Sequence, residues 1–224
     1  MAHPLSTLAW PDLDPGRTLL AVPLGATEQH GPHLPVGTDT LVAEALADRL
    51  ARARTDLVVA PALAYGSSGE HRGFPGTLSI GQAALELVVV ELVRSADAFA
   101  GVVLVSAHGG NAEPLARAVA TLGAEGRRVL SWSPRVPGGD AHAGRTETSL
   151  LLALHPEVVR RDRVAAGETT ALADLLPRLR SAGVAGVSGN GVLGDPRAAT
   201  AAEGATLVAE LAADLVAAVD RWAR

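Results

Sequence analysis

Four short apolar runs, alternating with segments of helical spacing, constrain this chain more than any other feature. Thr18–Leu24, Asp56–Ala60 and Gly101–Val105 each carry an apolar block of Val, Leu or Ala without polar alternation, and Arg127–Trp132 reads as a fourth strand around Val129, Leu130 and Trp132. A strand buried on both faces reads as such a run. Between them, Thr38–Arg54 sets Leu41, Ala45, Leu46 and Leu50 on one helical face, with Glu44, Asp48 and Arg52 off it. Gly81–Ala98 gathers Leu85, Val88, Val89, Leu92 and Val93 in the same way, and Ala112–Gly123 follows the third run. A long Ala- and Val-rich helix, Thr200–Arg224, closes the chain. This alternation predicts an α/β fold with a largely parallel sheet and helices on both faces. No repeat, linker or composition step divides the 224 residues, so one domain over 1–224 is expected.

Composition enters by exclusion. A net charge of −5 leaves no basic patch for nucleic acid. No apolar run is long enough to span a membrane, and the first ten residues lack the pattern of a secretory leader, so a cytoplasmic protein is expected. With no cysteine in the chain, any metal must be held by His, Asp and Glu.

Those residue types concentrate in the loops that follow the strands. After the first run, Pro23–Thr40 contains Glu28 and His30, one residue apart, which extended backbone projects to the same side. Asp39 closes that loop, as a ligand or as a helix N-cap. Tyr65–Ile80 is rich in glycine yet carries Glu70, His71 and Phe74, the composition of an ordered loop that closes over a site and supports its ligands or substrate. The third run leads into Ser106-Ala107-His108-Gly109-Gly110-Asn111, where Asn111 reads equally as an N-cap and as a substrate contact. The fourth leads to His142 and then Glu147. Glu147 suits the first turn of a helix, and His142 suits acid–base chemistry or ligation. Gly186–Pro196 is expected as an ordered loop near the mouth of the site; beyond Pro156 no helix is assigned before the last. His3 and His155 read as structural or solvated, and His33 stays open. Loops at the carboxyl ends of parallel strands share one edge, so Glu28, His30, Asp39, His108, His142 and Glu147 can converge. Within that set, three carboxylates and two of the three imidazoles are the inventory for two adjacent divalent ions, an arrangement suited to hydrolysis of a C–N bond.

The blocks Gly25–Pro35, Thr38-Asp39-Thr40, Gly73-Phe74-Pro75-Gly76-Thr77, His108-Gly109-Gly110-Asn111 and His142-Ala143-Gly144…Glu147-Thr148 resemble, in order, the signature of the creatininase family. The resemblance implies a three-layer α/β/α fold, a cytoplasmic di-metal amidohydrolase and a homo-oligomer, commonly a hexamer. It implies two divalent ions per subunit, Zn and/or Fe with Mn possible. Carried over, Glu28, Asp39 and His108 hold one ion, and His30 and Asp39 hold the second. Where creatininase itself has a carboxylate two residues after the third-strand histidine, this chain has Gly110, and Glu147 is expected to replace it. His142 matches the catalytic histidine, with Glu147 as its companion, and Glu70, His71, Arg72, Asn111 and Arg145 are expected to bind substrate. Gly66–Ile80 and Gly139–Ser149 most resemble the family's mycofactocin-system branch, which cuts a short ribosomal precursor peptide bearing a modified C-terminal Val-Tyr. Another amidohydrolase, opening a small cyclic amide or a formamide, and a non-catalytic family member remain the alternatives.

Overall fold

In the computed structural model, which describes residues 4–224, the four apolar runs form one parallel sheet in the order β2-β1-β3-β4. The strands are β1 (Leu19–Leu24), β2 (Leu57–Val59), β3 (Gly101–Ser106) and β4 (Val129–Trp132). β1 and β3 are its central pair, in register from Leu19 opposite Gly101 to Leu24 opposite Ser106. Every residue of both strands is buried. Full burial explains why neither alternates in sequence. His3, expected to be structural or solvated, lies outside the described residues.

Among the described residues the α-helices are α1 (Thr38–Ala53), α2 (Gln82–Arg94), α3 (Ala112–Ala124), α4 (Arg145–Leu154), α5 (Leu172–Ala182) and α6 (Ala201–Ala223); all but α5, which packs on turns beside the crevice, cover the sheet. Alternate strand residues divide between two cores. Leu19, Ala21, Val103 and Val105 meet α1, α4 and α6, through residues such as Leu46, Leu151 and Leu215. Leu20, Val22, Leu24, Val102 and Leu104 meet α2 and α3, through Leu85, Val89, Leu115 and Leu122. The expected three layers are therefore present. Within α2 the buried stripe is Leu85, Val89, Val90 and Val93, while Val88 turns outward.

The chain leaves β1 toward β2 on one side and β3 toward β4 on the other. The loops after β1 and β3 therefore diverge and open a crevice at the carboxyl ends of the central pair, where ligands bind in open α/β sheets. One element departs from expectation: α5 stands where glycines and Pro177 suggest irregular chain. Pro177 forfeits one backbone bond, but Leu175 is buried and holds the helix down.

Candidate metal centre

The loop after β1 places Glu28 and His30 side by side in the crevice, both fully buried. Their spacing works as the sequence suggests, with a local lock. His30 Nδ1 lies 3.1 Å from its neighbour's Glu28 carbonyl oxygen. That oxygen only accepts, so Nδ1 carries a proton and Nε2 is the nitrogen turned toward the carboxylates. His30 Nε2 stands 3.1 Å from Asp39 Oδ1 and 3.8 Å from Glu147 Oε2. Asp39 rides in the first turn of α1 and caps nothing; Gly37 is the N-cap. Its other oxygen, Oδ2, faces His108 Nδ1 at 3.4 Å. His108 Nε2 in turn lies 3.1 Å from Glu28 Oε2.

Four candidate ligand groups result among the described residues; two of them, Glu28 with His30 and His142 and Glu28 with Glu70 and His71, share the Glu28 carboxylate, and the other two share Asp39. Of these last two, Glu28, Asp39 and His108 form one and His30, Asp39 and Glu147 the other, each with donor atoms within 4.8 Å of one another. Among the described residues, Glu28 Oε1, Glu28 Oε2, Asp39 Oδ2 and His33 Nδ1 are buried without a hydrogen-bond partner. Three of these four atoms therefore sit in one cluster. Unpaired carboxylate oxygens cost a great deal of free energy unless a positive charge meets them. Burial pushes the Glu28 carboxyl up to about 8, only partly offset by His108. Burial also works against the charged form of His30, but Asp39 beside it outweighs this and raises the imidazole to about 10. Buried carboxylate oxygens without partners, set among imidazole nitrogens, fit divalent metal on carboxylate and imidazole ligands.

Glu147 reaches the second group from the first turn of α4. Its Oε2 accepts a 2.5 Å hydrogen bond from Ala143 N, and Ala143 adopts a left-handed backbone, φ 51°, to aim that N–H. Strain of this kind in a non-glycine residue persists only where the surroundings impose it. A Cβ at Gly110 would collide with the Ser67 carbonyl, the Glu70 carboxylate and the His108 ring. No carboxylate side chain fits at position 110 in this chain.

His142 stands beside the ligands. Its Nε2 is 2.7 Å from the Gln29 carbonyl oxygen and must donate there, which leaves the Nδ1 lone pair toward the crevice, 3.7 Å from Glu28 Oε1. Burial, and then His30 and His71 nearby, hold its pKa well below the ordinary value. It is therefore a neutral base with its acceptor atom at the site. Gln29, which the sequence reading passed over, ties this arrangement together. Its side-chain N–H groups reach His71 Nδ1 at 3.0 Å and the Gly191 carbonyl at 3.0 Å. His71 consequently bears its proton on Nε2, which lies 3.2 Å from Glu28 Oε1 without the geometry of a hydrogen bond. Glu70 Oε1 lies 3.6 Å from His108 Nε2.

The other expected substrate contacts lie elsewhere. Asn111 stands at the N-cap position of α3, as one of its two readings expects, but its side chain makes no capping bond: Oδ1 accepts from Ser67 N at 3.0 Å and Nδ2 donates to the Gly25 carbonyl at 3.0 Å, so its amide braces two loops. Arg145 pairs with Glu203 at 2.8 Å on the exposed side of α4. The cavity over the ligands takes Glu70 and His71 into its lining but not Arg72, Asn111 or Arg145; its guanidinium is that of Arg180. His33 is buried against Thr148 Oγ1 at 2.8 Å, outside all four ligand groups, and His155 is partly exposed beside Glu157. Gly186–Pro196 does reach the site, for Leu193 exchanges backbone hydrogen bonds with His142.

Fold and site together define a metal-dependent amidohydrolase. The sequence model described as "Creatininase: Creatinine amidohydrolase" matches residues 6–219, and the chain belongs to the creatininase family. It is 54% identical over 211 residues to a protein of Mycolicibacterium smegmatis named mycofactocin precursor peptide peptidase, covering 91% of this chain and 85% of that one. The solved structure titled "Creatininase Mn" is 26% identical with a TM-score of 0.82, covering 99% of this chain and 98% of that one. A mutant creatininase described as Zn-Zn type is 25% identical with a TM-score of 0.80 over the same shares.

Proposed function

We propose that this chain, acting over residues 1–224 as one catalytic domain, is a di-metal peptidase that cuts a C–N bond of the mycofactocin precursor peptide and frees its modified C-terminal Val-Tyr piece. The observation that carries the reading is the pair of ligand groups sharing Asp39. Glu28, Asp39 and His108 would hold one ion and His30, Asp39 and Glu147 the other, Zn, Fe or Mn. A pair of divalent ions there polarises an amide carbonyl and lowers the pKa of water. The chain's own residues do the rest. Gln29 fixes the His142 ring. His142, with Nε2 committed to the Gln29 carbonyl, accepts a proton at Nδ1 and passes it to the leaving nitrogen.

The peptide is favoured over a small cyclic amide because the relative named for the peptide is 54% identical over 91% of this chain, against 34% over 66% for a Pseudomonas putida protein named creatinine amidohydrolase. The complete ligand set speaks against a non-catalytic role. Among the described residues no helix is long and apolar enough to cross a membrane; a cytoplasmic site of action, with no nucleic acid or membrane as partner, goes with the proposal. The test is mass spectrometry of the modified precursor peptide incubated with metal-loaded protein. Release of the C-terminal piece is expected, with negligible turnover of creatinine. An intact peptide would refute the substrate.

A further inference from the structure

The cavity over the ligand groups, about 400 Å³, borrows part of its lining from α5, which the metal chemistry does not use. Leu172, Leu176, Leu179 and Arg180 border it, joined by Val184 and Leu193. Leu172, Leu176 and Leu179 are spaced to share one stripe of the helix. Of the residues of α5 only Leu175 is buried; Leu172 and Leu176 remain 47% and 39% exposed. A helix of eleven residues with one core side chain turns most of its apolar stripe to the cavity rather than to the protein.

The position of this stripe is set by the site itself. Gly183, at the end of α5, has φ 64°, and a Cβ there would meet the Glu70 carbonyl oxygen at 2.7 Å. The helix end thus rests on the turn that brings Glu70 and His71 to the ligand carboxylates. Arg178 is occupied, donating to the Gly186 carbonyl at 3.1 Å. Arg180, on the cavity, has no acceptor among the described residues. A cavity of this size falls in the range of roughly 300–1,000 Å³ that encloses drug-sized ligands with apolar walls and a few placed polar groups.

We propose that α5 is the substrate-selecting subsite: Leu172, Leu176 and Leu179 hold the bulky apolar C-terminal fragment on the leaving side of the bond that is cut, and Arg180 donates to a carbonyl oxygen of that fragment. The assignment rests on the peptidase reading above and adds the residues that choose the peptide. It explains how one metal centre can serve a peptide, since selection lies in a helix separate from the ligands.

The experiment uses metal-loaded wild type and the variants Leu172→Asn, Leu176→Asn, Arg180→Met and Arg180→Lys. Calorimetry measures binding of the purified C-terminal fragment, kinetics measure KM and kcat for the modified precursor, and metal per chain is recorded throughout. Each leucine variant should weaken fragment binding and raise KM by roughly tenfold or more, the worth of one apolar side chain, with metal content unchanged and kcat less affected. Arg180→Met should raise KM, and Arg180→Lys should recover part of the loss. Fragment binding unaltered in both leucine variants, or absent from wild type, overturns the subsite. So does metal loss in step with KM, which would make α5 merely structural. Wild type that binds the fragment yet leaves the peptide intact keeps the subsite and overturns the peptidase reading.

Discussion

Asp39 faces His30 with one oxygen and His108 with the other. Asp39→Ala should therefore empty both ion sites, whereas Glu147→Gln should weaken mainly the one shared with His30. Elemental analysis of metal per chain separates the two, and full metal content in Glu147→Gln would remove that residue from the ligand set. His142→Ala should keep both ions and lower kcat by roughly two to four orders of magnitude, the range for a positioned acid–base group. Loss of metal would reassign it as a ligand. At this scale Glu28 and His30 were legible because one-residue spacing in extended chain has a single geometric meaning. Gln29 between them was not, since its work depends on His71 and Gly191, far away in sequence.

Helix α4 carries Glu147 into the site, and its start is held by a residue outside it. Asp140 Oδ2 accepts from Arg145 N at 2.9 Å and from Asp195 N at 3.1 Å, and Oδ1 accepts from Thr146 N at 3.1 Å. Burial raises the Asp140 pKa, but those three backbone N–H groups outweigh it and hold the carboxyl below its ordinary 3.8. A depressed folded pKa contributes stability above the unfolded value and loses it as pH falls through the folded one. Asp140→Asn should accordingly cost about 1 kcal/mol near neutrality, after allowance for solvent screening. The difference from wild type should close below pH 3.8. Urea unfolding at several pH values checks this, and a gap constant into acid would assign the effect to shape instead of charge. Helices α1 and α2 were readable from their periodic apolar residues, α3 and α4 from the loops that precede them, and α6 from its Ala- and Val-rich composition. α5 was hidden because Pro177 and its flanking glycines advertise a break, and only contact with the turns around it sustains the helix.

For the whole molecule, the buried carboxylates make metal part of the stability. Chelation should lower the melting temperature by on the order of 10 °C when free metal had stood about a thousandfold above its Kd, and added metal should restore it. Calorimetry with and without chelator decides, and an unchanged transition would argue that the cluster is satisfied without ions. The expected hexamer is tested by light scattering at micromolar concentration, where a monomer mass would refute it. The apolar face of α6 is buried within the chain through Val208, Leu211, Leu215 and Val219. The exposed apolar residues that remain include Leu87 and Val88 on α2.

What the amino-acid order determined by itself was local or periodic. Uninterrupted apolar runs meant strands buried on both faces, helical spacing meant the layers over them, and His, Asp and Glu in loops after strands meant one edge of one sheet. These follow from repeats of two and 3.6 residues and from the direction of parallel strands. Tertiary structure alone decided which imidazole nitrogen faces a carboxylate, that Gly110 has no room for a side chain, that Asn111 braces loops, and that Arg180 rather than Arg72 or Arg145 borders the cavity. Each of those depends on atoms brought together from segments tens of residues apart, and spacing along the chain carries no information about such meetings until the sheet has closed them.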